Sequence, residues 1–181
     1  MIFKKILLFF LLLNFILITA GCAKETQKIT YKGPDMMETF QNGDILTVSL
    51  LPYNPKQGDI VAIQLPIFEE PVITRIIALE GQTVDFDFEN WFVYVDGEIL
   101  DEPYVLFMTD RLMHSDDITP DMLPIKIEPG KIFVMGDNRN LATDSRTKSI
   151  GQVDVEYIIG NIIEVEYILT NPINPINQIS E

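Results

Sequence analysis

Trp91-Phe92-Val93-Tyr94-Val95-Asp96-Gly97-Glu98-Ile99-Leu100 decides which class of fold this chain can adopt. An apolar ribbon runs from Trp91 to Val95, and Asp96-Gly97 turns it back into Glu98-Ile99-Leu100. Asp-Gly supplies the two positive φ values of a type I′ turn, whose twist matches that of paired antiparallel strands. The ten residues therefore predict a β-hairpin.

The same period of two extends in both directions. Upstream, Asp44 to Leu50 reads as a strand after the Asn42-Gly43 turn signal, and Gly58-Asp59 opens another from Ile60 to Leu65. Val72 to Leu79 and Thr83 to Asp87 follow, with Pro52-Tyr53-Asn54-Pro55 as loop. Downstream, Lys131 to Met135 leads into the polar turn Gly136-Asp137-Asn138-Arg139, and Tyr157 to Leu169 is strand again, with Gly160 at a bulge. Residues 105–128 break the rhythm: Met108, Met113 and Met122 alternate with acids and prolines, which predicts a long excursion with one helical turn. From Asn171 the tail carries Asn-Pro-Ile twice, a pattern that resists helix and sheet. The expected body is mostly β, antiparallel, and spans residues 33–170.

The first 22 residues are of another kind. Lys4 and Lys5 precede an apolar run from Ile6 to Ile18, broken only by Asn14, and Thr19-Ala20-Gly21-Cys22 closes it. A spanning helix needs about 20 apolar residues; this run is short for that and suits a secretory leader. Small residues before Cys22, the single cysteine, look like a lipobox, with Thr19 where leucine is usual. A lipid-anchored Cys22, an uncleaved signal-anchor helix and free secretion all remain open, and each puts the rest of the chain outside the cytoplasm. Residues 23–32 read as a tether, the polar run Ala23-Lys24-Glu25-Thr26-Gln27 following the cysteine. The tail 171–181 is expected to be flexible.

Charge narrows the partners. Thirteen Lys+Arg stand against 27 Asp+Glu, a net charge of −14, and two of the basic residues lie in the leader. So acidic a surface repels phosphate backbones, and nucleic acid is excluded as a partner. A single cysteine rules out an internal disulfide. A single histidine, His114, sits in the polar stretch Met113-His114-Ser115-Asp116-Asp117, which reads as exposed loop, so no histidine cluster exists for a metal and no cofactor is expected.

Five stretches, in order, resemble the type I signal peptidases, which release exported proteins from membrane-bound leaders. Gly33-Pro34-Asp35-Met36-Met37-Glu38-Thr39-Phe40-Gln41-Asn42-Gly43-Asp44 is similar to the nucleophile segment. Gly58-Asp59-Ile60-Val61, then Thr74-Arg75-Ile76-Ile77-Ala78-Leu79-Glu80-Gly81, then Val95-Asp96-Gly97 with Leu100-Asp101-Glu102-Pro103-Tyr104, match the next three. Met135-Gly136-Asp137-Asn138-Arg139, followed by Asp144-Ser145-Arg146 and Gly151, is the most specific match.

The resemblance implies a serine nucleophile and a lysine base, and it puts Asp35 and Thr74 at those positions. A serine hydroxyl attacks a peptide carbonyl only when a neutral amine in contact with it takes its proton. A carboxylate at Asp35 forms no ordinary ester intermediate, and Thr74 is no base. Glu38 stands where proline is usual and Ala142 where a serine precedes Asp144. No nearby substitute exists: no serine lies between Cys22 and Asp35, Ser49 falls in a strand, and Lys56 is the one lysine between residues 50 and 120. Gly33, Met36, Arg75, Asp137, Arg139, Asp144, Ser145 and Arg146 are implied to support the cleft, with the charged members forming a buried turn network. Asp35 is expected to accept main-chain N–H groups where an oxyanion would sit. Relatives lacking the dyad are linked to assembly of surface structures such as pili. The resemblance therefore implies an extracytoplasmic, membrane-held accessory factor that binds segments of exported or surface proteins; a working peptidase with atypical residues is the alternative.

Overall fold

The computed structural model describes residues 25–37, 39–50, 52–105 and 118–168. The leader with Cys22, the His114 stretch, the centre of the 105–128 excursion and the tail from Asn171 lie outside the described residues. What is described is mostly β and antiparallel, as the period-two pattern predicts. The strands are β1 (Thr26–Thr30), β2 (Ile45–Leu50), β3 (Ile60–Ile63), β4 (Val72–Leu79), β5 (Thr83–Asp87), β6 (Phe92–Val95), β7 (Glu98–Ile99), β8 (Ile125–Lys126), β9 (Lys131–Met135), β10 (Val153–Asp154) and β11 (Ile158–Glu166). Single 3₁₀ turns occur at Pro120–Met122 and Val155–Tyr157. Among the described residues no helix is long and apolar enough to cross a membrane.

One sheet has the order β1-β2-β11-β3-β4-β9-β10 and the other β7-β6-β5-β8. The deciding hairpin forms as read: Tyr94 faces Ile99 and Val95 faces Glu98 across a two-residue turn in which Asp96 has φ 53° and Gly97 φ 84°. The strand starts one residue later than expected, because Trp91 has left the extended region at φ 65°. Residues 26–30, read as tether, instead form an edge strand paired with β2 from Thr26↔Ser49 to Thr30↔Ile45. Its polar, mostly exposed side chains hide it from a hydrophobic pattern; main-chain hydrogen bonds recruit it.

Strands β4 and β9 are the shared wall. Ile77, Ala78, Phe133 and Met135 pack with Val84, Phe86, Val93 and Val95 from the second sheet. Their neighbours Ile76, Ile132 and Val134 pack on the other side with Val61, Ile63 and Ile158. Burying each such side chain contributes about 1.5–3 kcal/mol. A third cluster joins Tyr31, Met36 and Phe40 to Leu46, Val48, Ala62 and Ile73. It seats the turn around residue 35 on the sheet.

Gly160 lies in β11 at a register shift against β3, between Ile158 and Gly160. A Cβ there would overlap the Ser49 carbonyl oxygen of β2 and come within 2.8 Å of its carbon. Because main chain cannot yield as a side-chain tip does, Gly160→Ala is expected to lose about 2–3 kcal/mol of stability. Denaturant titration of the two proteins measures this, and an unchanged midpoint contradicts the packing described.

Candidate functional site

The turn holding Asp35 is short and tightly bonded. Gly33 enters it at φ 118°, where its N–H donates to Asn42 Oδ1 at 2.8 Å. The Phe40 N–H donates to the Met36 carbonyl at 2.7 Å, and Met36 N–H donates to the Tyr31 hydroxyl at 2.7 Å. Burial pushes the Tyr31 phenol up to about 12, so it serves as a neutral partner. Met36 is fully buried beneath the turn, its sulfur accepting the Asp137 N–H at 3.3 Å.

Asp35 then meets the end of β9. Its carbonyl accepts the Asn138 N–H at 2.9 Å. A Cβ on Gly136 would stand 2.5 Å from that same carbonyl oxygen and collide with the Ala142 methyl. Only glycine allows so close an approach. The half-buried Asp35 side chain turns back across the turn, Oδ1 accepting the Thr143 N–H at 3.0 Å. Burial pushes its carboxyl above the ordinary value, and the Asp144 charge adds to this, while the N–H groups of Thr143 and of Asp35 itself pull it back.

Thr74 sits on β4 opposite Val61 of β3. It is 2% exposed, and its Oγ1 has no hydrogen-bond partner. Buried hydroxyls are nearly always paired. Its neighbour Arg75 is the reverse case, with every face engaged. Nε and one terminal nitrogen grip Asp137 at 2.8 and 2.6 Å, the other terminal nitrogen donates to Gly58 O at 2.9 Å, and the guanidinium lies 3.8 Å over the Tyr104 ring. Thr39 also donates its hydroxyl to Asp137.

A second layer of charge lies behind this one. Arg139 donates to Gly136 O at 3.0 Å and forks onto Glu102. Arg146 forks onto Asp144 at 2.8 and 2.7 Å and donates to the Arg139 carbonyl. Asp144 accepts the Gly136 N–H at 3.0 Å, and Ser145 Oγ accepts the N–H of Val134 on β9. Fully satisfied networks rigidify their surroundings; half-satisfied ones are costly. The structure thus gathers Asp35, Met36, Arg75, Asp137, Arg139, Asp144, Ser145 and Arg146 about the end of β9, with Gly33 opening the Asp35 turn and Thr74 beside Arg75 on β4. Sequence reasoning missed Thr39, Glu102, Tyr104 and the Thr143 N–H as partners. Thr39, Glu102 and Tyr104 stood inside matched stretches, which was their available signal, though not of which residues they pair with.

Beside the turn runs a groove of about 230 Å³, lined by residues including Ile29, Tyr31, Lys32, Glu70, Pro71 and Ile73. Tyr31, one of its walls, is the residue whose hydroxyl accepts the Met36 N–H of the turn. Among the described residues no group of three or more His, Cys, Asp or Glu is placed to hold a metal.

Two outcomes follow. The Asp137 side chain is fully buried and Arg75 12% exposed, so removing one partner strands the other's charge. Asp137→Ala is expected to cost about 3–5 kcal/mol in denaturant unfolding. As for Asp35, the folded chain holds its proton more tightly than the unfolded chain does. Ionisation therefore opposes folding at neutral pH, and this opposition fades as pH falls through the folded and then the unfolded pKa. Asp35→Asn is expected to gain melting temperature over the parent near about pH 7, by a margin that shrinks toward about pH 3; a margin that widens in acid contradicts the burial.

Comparison with known proteins gives the chain's family. Signal peptidase I of Bacillus caldolyticus is 32% identical over 140 residues, covering 72% of this chain and 74% of its own length. Signal peptidase IB of Staphylococcus aureus is 30% identical over 149 residues, covering 74% and 73%. Signal peptidase I S of Bacillus subtilis is 38% identical over 92 residues, covering 50% and 48%. The family described as signal peptidase, peptidase S26, matches residues 2–167. The chain belongs to the signal peptidase, peptidase S26 family.

Proposed function

We propose that this protein keeps a signal-peptidase cleft for holding extended segments of exported or surface polypeptides, and does not cut them. Its N-terminal segment, as a lipid-bearing Cys22 or an anchor helix, holds it on the extracytoplasmic face of the membrane. The observation that carries this reading is the pair of side chains at the two positions assigned to the chemistry. Asp35 is a carboxylate tied to the Thr143 N–H, and Thr74 is a buried hydroxyl without a partner. Cleavage by the family's route needs an alcohol whose proton passes to a neutral amine. Residue 35 offers no alcohol and residue 74 no amine.

The groove beside Asp35 supports the binding half of the proposal. It lies between the chain continuing from β1 and the start of β4, the arrangement in which an extended segment adds main-chain hydrogen bonds while side chains enter small apolar pockets.

One observation favours the opposite reading, an active peptidase with atypical residues: the raised pKa of Asp35, which a carboxyl sharing a proton would need. Such sharing requires a second carboxylate with a free oxygen. Asp144 has both oxygens engaged by Arg146 and Gly136, and Asp137 has both engaged by Arg75 and Thr39. The non-hydrolytic reading is therefore preferred.

Purified full-length protein incubated with a leader-bearing preprotein is expected to show no turnover, and the double variant Asp35→Ser with Thr74→Lys to cleave it. Turnover by the parent that Asp35→Asn abolishes would establish the peptidase instead.

A further inference from the structure

Among the described residues β1 is an edge strand, paired on one side with β2. Just past it, the Tyr31 N–H donates to the Asp44 carbonyl at 2.7 Å and the Tyr31 carbonyl accepts the Gly43 N–H at 2.9 Å, so the main chain of Tyr31 faces β2 and the turn before it. Alternation then turns the N–H and carbonyl groups of Lys28 and Thr30 the other way. They face the groove of about 230 Å³ whose opposite wall is Glu70, Pro71 and Ile73. Ile29, Tyr31 and Ile73 belong to one apolar cluster, which gives the groove its greasy side. Lys32 and Glu70, one from each wall, stand 3.9 Å apart and leave the rim electrically neutral.

β11 brings the chain back to the same corner. Beyond it the Ile168 N–H donates to Asp44 Oδ1 at 3.0 Å, and the Ile168 side chain lies over Gly43. Ile168 and Tyr31 thus flank Gly43 and Asp44 from two sides. The far side of β1 is three strand spacings away, about 14 Å, and residues 169–173 reach about 16 Å when extended. The sequence there is Asn171-Pro172-Ile173-Asn174-Pro175-Ile176-Asn177-Gln178-Ile179. Isoleucine recurs at every third residue, the period of a polyproline II ribbon, whose rise of about 3.1 Å per residue sets the three side chains on one side over about 19 Å. The edge from Lys32 to Gln27 is about 17 Å long. No residue from Tyr167 to Ser180 is charged, so nothing in this segment is repelled by a chain of net charge −14.

We propose that residues 172–179 dock in this groove along the free edge of β1, and that a client segment has to displace them. The isoleucines meet the apolar wall, and carbonyls of the segment accept the outward N–H groups of Lys28 and Thr30. Proline suits this role: it removes a donor and keeps its carbonyl, so Pro172 and Pro175 take hydrogen bonds without having any to give. Tethered through five residues, the segment reaches an effective concentration on the order of millimolar. A weak contact is then enough to fill the groove, and a tighter client still displaces it. The displacement rests on the peptide-holding reading above; the docking itself does not.

Amide hydrogen exchange in the full-length protein, with no peptide added, compares the parent with the double variant Ile173→Ser, Ile176→Ser. The Lys28 and Thr30 amides are expected to exchange at least about fivefold faster in the variant, while the Tyr31 amide, bonded to Asp44, keeps its rate. A synthetic peptide spanning a leader cleavage site, titrated into both proteins by calorimetry, is expected to bind the variant tighter by the same factor, because both readouts report the fraction of protein with an open groove. Unchanged exchange at Lys28 and Thr30 overturns the docking, and peptide binding at equal affinity then leaves the peptide-holding reading standing. Faster exchange that includes Tyr31 also overturns it, tracing the effect to β1 coming away from β2. Faster exchange at Lys28 and Thr30 with equal peptide affinity overturns the displacement. The same exchange result with no peptide bound by either protein upholds the docking and removes the peptide-holding reading.

Discussion

The grip of Arg75 on Asp137 is the interaction on which the site's geometry depends. One guanidinium fastens β4 to the turn after β9, reaches the carbonyl of Gly58 before β3, and covers the ring of Tyr104. Through the Thr39 hydroxyl on Asp137 it also fixes the far end of the Asp35 turn. A buried ion pair in isolation is a poor source of stability, because desolvation offsets the attraction. Here each of the three guanidinium nitrogens donates to an acceptor, and Asp137 is wholly enclosed. Lysine in place of Arg75 could not do this: a single ammonium lacks both the fork and the flat face.

The parts of this fold legible in the sequence are those written locally. The Asp96-Gly97 hairpin needs only two left-handed residues and an alternating ribbon. β4, β5 and β9 need only a period of two between turn signals, and their limits fall where the pattern puts them. β1 was not legible. Thr26–Thr30 offers one partly buried residue, Ile29, and is a strand because the edge of β2 accepts it. β8 and β10 have two residues each, too few for any period to show.

The site divides the same way. Gly136, Asp137, Arg139, Asp144 and Arg146 occur together in eleven residues, so a motif betrays them. Their counterparts do not. Glu102 lies 37 residues from Arg139, Thr39 lies 98 from Asp137, and nothing in either neighbourhood announces the pairing. The Thr143 donor is a main-chain N–H, which has no side-chain signature whatever residue carries it.

The charged network around residues 35 and 74 is held in place for a physical reason. Replacing any one of Arg75, Asp137, Arg139, Asp144 or Arg146 strands a buried charge, at a cost of about 3–5 kcal/mol, a large fraction of what holds a domain folded. Replacing an alcohol at residue 35 or an amine at residue 74 strands much less: Asp35 finds the Thr143 N–H, and Thr74 leaves one hydroxyl unsatisfied. Stability therefore holds these surroundings in place whatever chemistry the centre carries. Chemistry is carried by the two positions that stability leaves free to change. Asp35, held by the main-chain N–H of Thr143, and Thr74, a buried hydroxyl without a partner, are the two least constrained polar groups beside that network.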